Sequence, residues 1–148
     1  MENQSNATKM LLSELYKNMK MGADSIVNIS SKVSEGELRD ELARQLDTYE
    51  SFAKKIGMLI YESGDEPQEE NIMSKMASKV GMAMNTLTDS SQSHIAEMMI
   101  EGATMGITEN TKLINKYQDK DVDTQAMKLC RESVKFMEDS IEALKKFL

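Results

Sequence analysis

Residues 122–148 read VDTQAMKLCRESVKFMEDSIEALKKFL, and within them Met127, Cys130, Val134, Met137, Ile141, Leu144 and Leu148 recur at spacings of three and four throughout. That period is the apolar seam of a packed α-helix, because 3.6 residues per turn bring such positions onto one face. Lys145 and Lys146 stand at the negative end of its dipole.

The same period runs through the rest of the chain. Over residues 8–33 the seam is Leu12, Leu15, Met19, Ile26, Ile29 and Val33, with Gly22 in its gap. Gly22 costs about 1 kcal/mol of helix propensity relative to Ala, so a close helix crossing is expected at that level. Ser34-Glu35-Gly36-Glu37 has the spacing of a capping box, with Ser34 as cap and Glu37 reaching back. Leu38, Leu42, Leu46, Tyr49, Ala53, Ile56 and Ile60 then carry a helix over 36–63 to Gly64, a C-cap glycine. Gly64-Asp65-Glu66-Pro67 is the strongest punctuation, and Pro67 with the following acids suits the start of a third helix over 67–88. TDSSQS at 88–93 is a break rich in capping side chains. A fourth helix over 92–118 follows, with Ile95, Met98, Met99, Gly102, Gly106, Leu113 and Tyr117 on its seam and a close approach expected at Gly102, Ala103 and Gly106. A fifth covers 122–147. Nothing alternates with period two, so no strand is expected.

Four of these helices would be about 40 Å long and the one at 67–88 nearer 30 Å, at 1.5 Å per residue. The expectation is a single all-α domain over 1–148, with two antiparallel helix hairpins joined by a short crossover helix. That arrangement, with the phrases LLSELYKNMKMGADSI (11–26) and QLDTYESFAKKIGMLIYESGDEP (45–67), resembles the small uncharacterised bacterial ferritin-like four-helix-bundle proteins that lack a diiron function. The resemblance implies a ferritin-like fold. Its metal-binding members need an inward Glu on the first and third bundle helices and Glu-x-x-His on the second and fourth. This chain has Glu14, then Glu50-Ser51-Phe52-Ala53, then Glu97 or Glu101, then Glu138-Asp139-Ser140-Ile141 at those places, so both histidine positions are apolar. The carboxylates also fall beside or opposite the seams, and no cofactor is expected.

Composition narrows the function further. Twenty-five acids against eighteen bases give a net charge of −7, which disfavours polyanionic partners such as nucleic acid or an anionic membrane surface. No apolar run approaches the roughly 20 residues of a membrane span, and MENQSNATKM lacks the basic start and apolar core of a secretory signal, so a cytoplasmic location is expected. Cys130 is the only cysteine, read as a small buried hydrophobe. No Gly-x-Ser-x-Gly elbow and no phosphate-cradling glycine loop occurs, so no catalytic residue is assigned.

His94, the only histidine, shares one helix flank with Glu97 and Glu101 and makes the one weak metal candidate. Fourteen methionines against no tryptophan admit thioether ligation of Cu(I) at Met73 and Met76, Met82 and Met84, or Met98 and Met99. Most methionines lie at core spacing, however, where an unbranched side chain fills gaps. Met21, Met58, Met82 and Met84 fall off the seams and widen the apolar face, as a surface for a second copy or a protein partner would. The resulting expectation is a non-enzymatic binding or structural module that self-associates through a Met-rich surface. The alternative is an atypical ferritin-like metal or redox protein built on His94, Glu97 and Glu101.

Overall fold

A computed structural model describes residues 6–67 and 87–148. Among them are four α-helices, α1 (Asn6–Ser30), α2 (Glu37–Glu62), α3 (Gln92–Tyr117) and α4 (Thr124–Leu144), then a single 3-10 turn at Lys145–Phe147, and no strand. The helix expected over 67–88 lies almost wholly outside the described residues.

The contacts fix the directions of the helices. Lys9 Nζ at the start of α1 is 3.9 Å from Asp65 beyond the end of α2, so that pair is antiparallel. Glu37 at the start of α2 is 3.5 Å from Lys146 beyond the end of α4. The Asp123 amide, at the start of α4, donates to Thr8 Oγ1 at 2.9 Å, which brings the end of α3 beside the start of α1. Helices α2 and α3 are therefore parallel, and the end of α2 and the start of α3 lie at opposite ends of the bundle, as in ferritin-like folds. Each hairpin packs along its length, α1 lies against α3, and α2 lies against α4.

Helix ends follow local chemistry. Gly64 adopts φ 91° and its amide donates to Tyr61 O, while the Asp65 amide donates to Ile60 O. These two bonds are the Schellman pair that satisfies terminal carbonyls, as Gly64 was expected to allow. Ser91 caps α3, its Oγ accepting from the His94 amide at 3.3 Å, within the break expected near residue 90. The capping box at residue 34 is not formed. Gly36 is the N-cap of α2 and no side chain caps it, because the turn after Val33 carries Ser34 outside the helix.

The core is aliphatic and thioether as composition requires. Every seam residue assigned in α1 is buried, together with Leu11, Tyr16 and Ala23. In α4, Cys130, Met137 and Leu144 are buried as expected, but the other side of the seam is offset by one residue along the whole helix, starting with Ala126 buried in place of Met127. Ser133 and Ser140 are buried where Val134 and Ile141 were expected, and Phe147 is buried while Leu148 is 61% exposed.

Candidate functional site

The interior contains neutral polar groups rather than charges. The buried polar side chains among the described residues are Thr8, Gln45, Asn110, Ser133 and Ser140. Asn110, on α3, is fully buried and central to them. Its Oδ1 accepts from Asn18 Nδ2 at 2.8 Å, and its Nδ2 donates to Ser133 Oγ at 2.9 Å and to Met19 Sδ at 3.7 Å. Ser133 Oγ donates to Cys130 O at 2.6 Å, and Cys130 Sγ donates to Asn110 O at 3.5 Å. Three helices are thereby tied at one level by fully partnered amides and hydroxyls, which is the condition under which buried polar groups are tolerated. No sequence seam included Asn110, yet its place was readable. It lies four residues after Gly106 and three before Leu113, on the seam's own register.

Beside this network lies a cavity of about 40 Å³. Gly22, Gly102 and Gly106 border it, with Asn18, Tyr49, Met21, Met99 and Met137 also in its lining. The three glycines play different parts. A Cβ on Gly22 would run into the Tyr49 ring, reaching 2.8 Å from Cζ, so Gly22 is the close crossing expected there. A Cβ on Gly106 would lie 2.5 Å from Met137 Sδ, so the glycine makes room for that sulfur. A Cβ on Gly102 would meet nothing within 4 Å, and the close approach expected at that residue is instead open space.

The Tyr49 ring stands edge-on to Phe136 at 4.9 Å between centroids. Burial pushes its phenol up to about 12, and its hydroxyl has no hydrogen-bond partner among the described residues. Burial likewise pushes the Cys130 thiol up to about 12, against a weaker opposing pull from Arg131. Both groups are protonated and uncharged at neutral pH. Neither is a poised acid, base or nucleophile.

The metal candidates can be placed directly. His94 Nδ1 is 3.6 Å from Glu97 Oε1, both at the surface, and Glu101 is exposed one turn further on. Among the described residues no three His, Cys, Asp or Glu side chains gather where they could hold a metal ion, so His94, Glu97 and Glu101 do not form the three-ligand site their spacing allowed. The diiron centre that a ferritin-like fold implies fits no better. Glu14, Glu50, Glu97, Glu101 and Glu138 are all exposed, and the two histidine positions hold buried Ala53 and half-buried Ile141. These residues do not fit such a group.

The off-seam methionines separate into two kinds. Met21 is half-buried and lines the cavity. Met58 is 54% exposed, and Tyr61, one turn along α2, is 61% exposed. Both border a surface groove of about 390 Å³, floored by Tyr16, Ala53, Gly57 and Pro67 and flanked by Lys20, Glu50 and Lys54. Met82 and Met84, with Met73 and Met76, lie outside the described residues. No helix among the described residues is long and apolar enough to cross a membrane.

Residues 7–116, more than half of the chain, match the family described as domain of unknown function DUF2383. No curated protein matches. Among solved structures, a DUF305 fragment from Deinococcus radiodurans superposes with a TM-score of 0.75 at 10% identity, covering 98% of this chain and 97% of its own. The dodecameric thioferritin of Bacteroides fragilis, a bacterioferritin-related protein, superposes with a TM-score of 0.70 at 12% identity, covering 95% of this chain and 83% of its own. These likenesses identify a ferritin-like helical bundle.

Proposed function

We propose that this chain, which belongs to the DUF2383 family, is a non-enzymatic helical module that self-associates through the outer face of α2 around Met58 and Tyr61. The observation that carries the reading is the exposure of two large apolar side chains at i and i+3 beside an apolar-floored groove. Single exposed hydrophobes are ordinary on any protein, but neighbouring ones rimmed by Lys20, Glu50 and Lys54 have the make-up of a contact surface, with an apolar centre and a charged rim. The rim carries both signs, so two copies related by a two-fold axis can meet without like charges opposed. The Bacteroides fragilis protein of the same fold is itself dodecameric, which supports assembly as a use of this architecture.

The interior of the described residues is uncharged at neutral pH. No charged side chain is buried among the described residues, and burial holds Tyr49 and Cys130 in their neutral forms.

Sedimentation equilibrium of the full chain tests the proposal. The wild type is expected to associate in the micromolar range, and the Met58→Glu/Tyr61→Glu variant to sediment as a folded monomer with unchanged helical circular dichroism. A wild type that remains strictly monomeric at high micromolar concentration, or an oligomer untouched by the double substitution, overturns it.

A further inference from the structure

We propose that the cavity bordered by Gly22, Gly102 and Gly106 is a binding site for Cu(I), held by the thioethers of Met21, Met99 and Met137. These methionines come from three different helices, α1, α3 and α4, and converge on one space of about 40 Å³. Thioether sulfur is a soft ligand that selects Cu(I) over harder ions. The rest of the lining supplies no competitor, since it contains no carboxylate and no imidazole, only neutral Asn18, Ser25, Gln45 and Tyr49 among its polar members. A hard divalent cation would find neither charge nor enough oxygen ligands there.

Packing alone accounts poorly for this arrangement. Methionine in a core serves to close irregular gaps, and interiors are close-packed with few voids larger than a water. Here three methionines border a gap that stays open. Gly102 contributes to that opening, since a Cβ there would touch nothing within 4 Å, although Ala would be favoured by about 1 kcal/mol of helix propensity. Gly106 admits Met137 Sδ into the position its own Cβ would crowd, which sets that sulfur against the wall formed by α3. Met19 is excluded from the ligand set because its sulfur accepts from Asn110 Nδ2. Met21, half-buried, gives the ion a path from solvent.

Anaerobic competition against a chromophoric Cu(I) chelator, with Ag(I) as a redox-inert probe, tests the site on the full chain. One equivalent per chain is expected, with a shell of sulfur scatterers in X-ray absorption. Changes to the surroundings of a metal site alone weaken it about 10–100-fold, so losing a ligand in Met99→Leu or Met137→Leu is expected to weaken Cu(I) by at least about 100-fold. Met10→Leu, at an exposed methionine outside the cavity, should leave binding unchanged. Leu conserves the volume of Met, and metal-free melting curves show whether each variant folds. Met21→Leu, on the partly exposed lip, carries the test if a core variant fails to fold. Absence of a stoichiometric complex, or a complex that survives both Met21→Leu and Met99→Leu, overturns the proposal. Sedimentation of the same variants reads self-association separately, so the two proposals fail independently.

Discussion

Replacing each cavity glycine by Ala gives opposite outcomes at neighbouring positions, and the difference follows from what each new Cβ meets. All three sit inside helices, where Ala gains about 1 kcal/mol over Gly. At Gly102 nothing lies within 4 Å, so Gly102→Ala should realise that gain in full. At Gly22 the new methyl would run into the Tyr49 ring, which cannot retreat because Phe136 stands edge-on behind it at 4.9 Å and Phe52 backs Phe136 at 5.8 Å. Forcing one extra carbon into such a site costs about 1–3 kcal/mol, which after the propensity gain leaves Gly22→Ala less stable than wild type by up to about 2 kcal/mol. For a chain of this length each kcal/mol moves Tm by about 2–4 °C, so the two variants should melt on opposite sides of wild type. Gly106→Ala is intermediate, since the crowded atom is the sulfur of the flexible Met137 side chain. Urea unfolding followed by circular dichroism at 222 nm measures all three. In a Tyr49→Leu background the penalty at Gly22 should vanish and the propensity gain reappear. If Gly22→Ala stabilises the wild type as much as Gly102→Ala does, the close crossing between α1 and Tyr49 is refuted.

Asn110→Ala should cost about 2–4 kcal/mol, because it opens a void and leaves Asn18 and Ser133 without their buried partner; Ser133→Ala should cost about 1 kcal/mol, and chemical denaturation separates the two. Alkaline pH should destabilise the protein. Tyr49 and Cys130 are raised to about 12 in the folded state, from ordinary values of 10.0 and 9.0, so the folded chain binds their protons more tightly. The stability they contribute is full below pH 9 and is lost as pH rises toward 12, at up to about 1.4 kcal/mol per pH unit for each group. Tyr49→Phe should remove its share of that slope without loss of stability at pH 7, since the hydroxyl it deletes has no partner among the described residues; urea midpoints between pH 7 and 11 check both statements.

Helices and their order were legible where apolar spacing and punctuation agree. The α1 seam is buried at every assigned residue, Gly64 closes α2 with the expected hydrogen bonds, and Ser91 caps α3 inside the break at 88–93. Other features were hidden for physical reasons. A seam counted only on apolar residues steps over a buried serine or amide, which is why Ser133, Ser140 and Asn110 were missed although they stand on the register. In α4, Cys130, Met137 and Leu144 belong equally to two seven-residue registers, and the buried one runs through Ala126, Ser133, Ser140 and Phe147, whereas counting the larger apolar side chains selects Met127, Val134, Ile141 and Leu148. Local spacing also could not tell Gly22 from Gly102. Both interrupt a helix, but only the side chains of other helices decide that one is a tight crossing and the other the wall of a cavity. The outward placement of Glu14, Glu50 and Glu138 was readable, because each falls off its seam. The convergence of Met21, Met99 and Met137 was not, since it joins three helices distant in sequence.

Among the described residues the polar interior of this ferritin-like bundle is built of amides, hydroxyls and thioethers, with the carboxylates turned to solvent. Anaerobic titration of Fe(II) into the full chain at neutral pH, followed by calorimetry, tests that most directly. The predicted result is no saturable binding, in wild type and in His94→Ala alike. A saturating complex of two Fe(II) per chain, abolished by Glu50→Ala or Glu138→Ala, would contradict it.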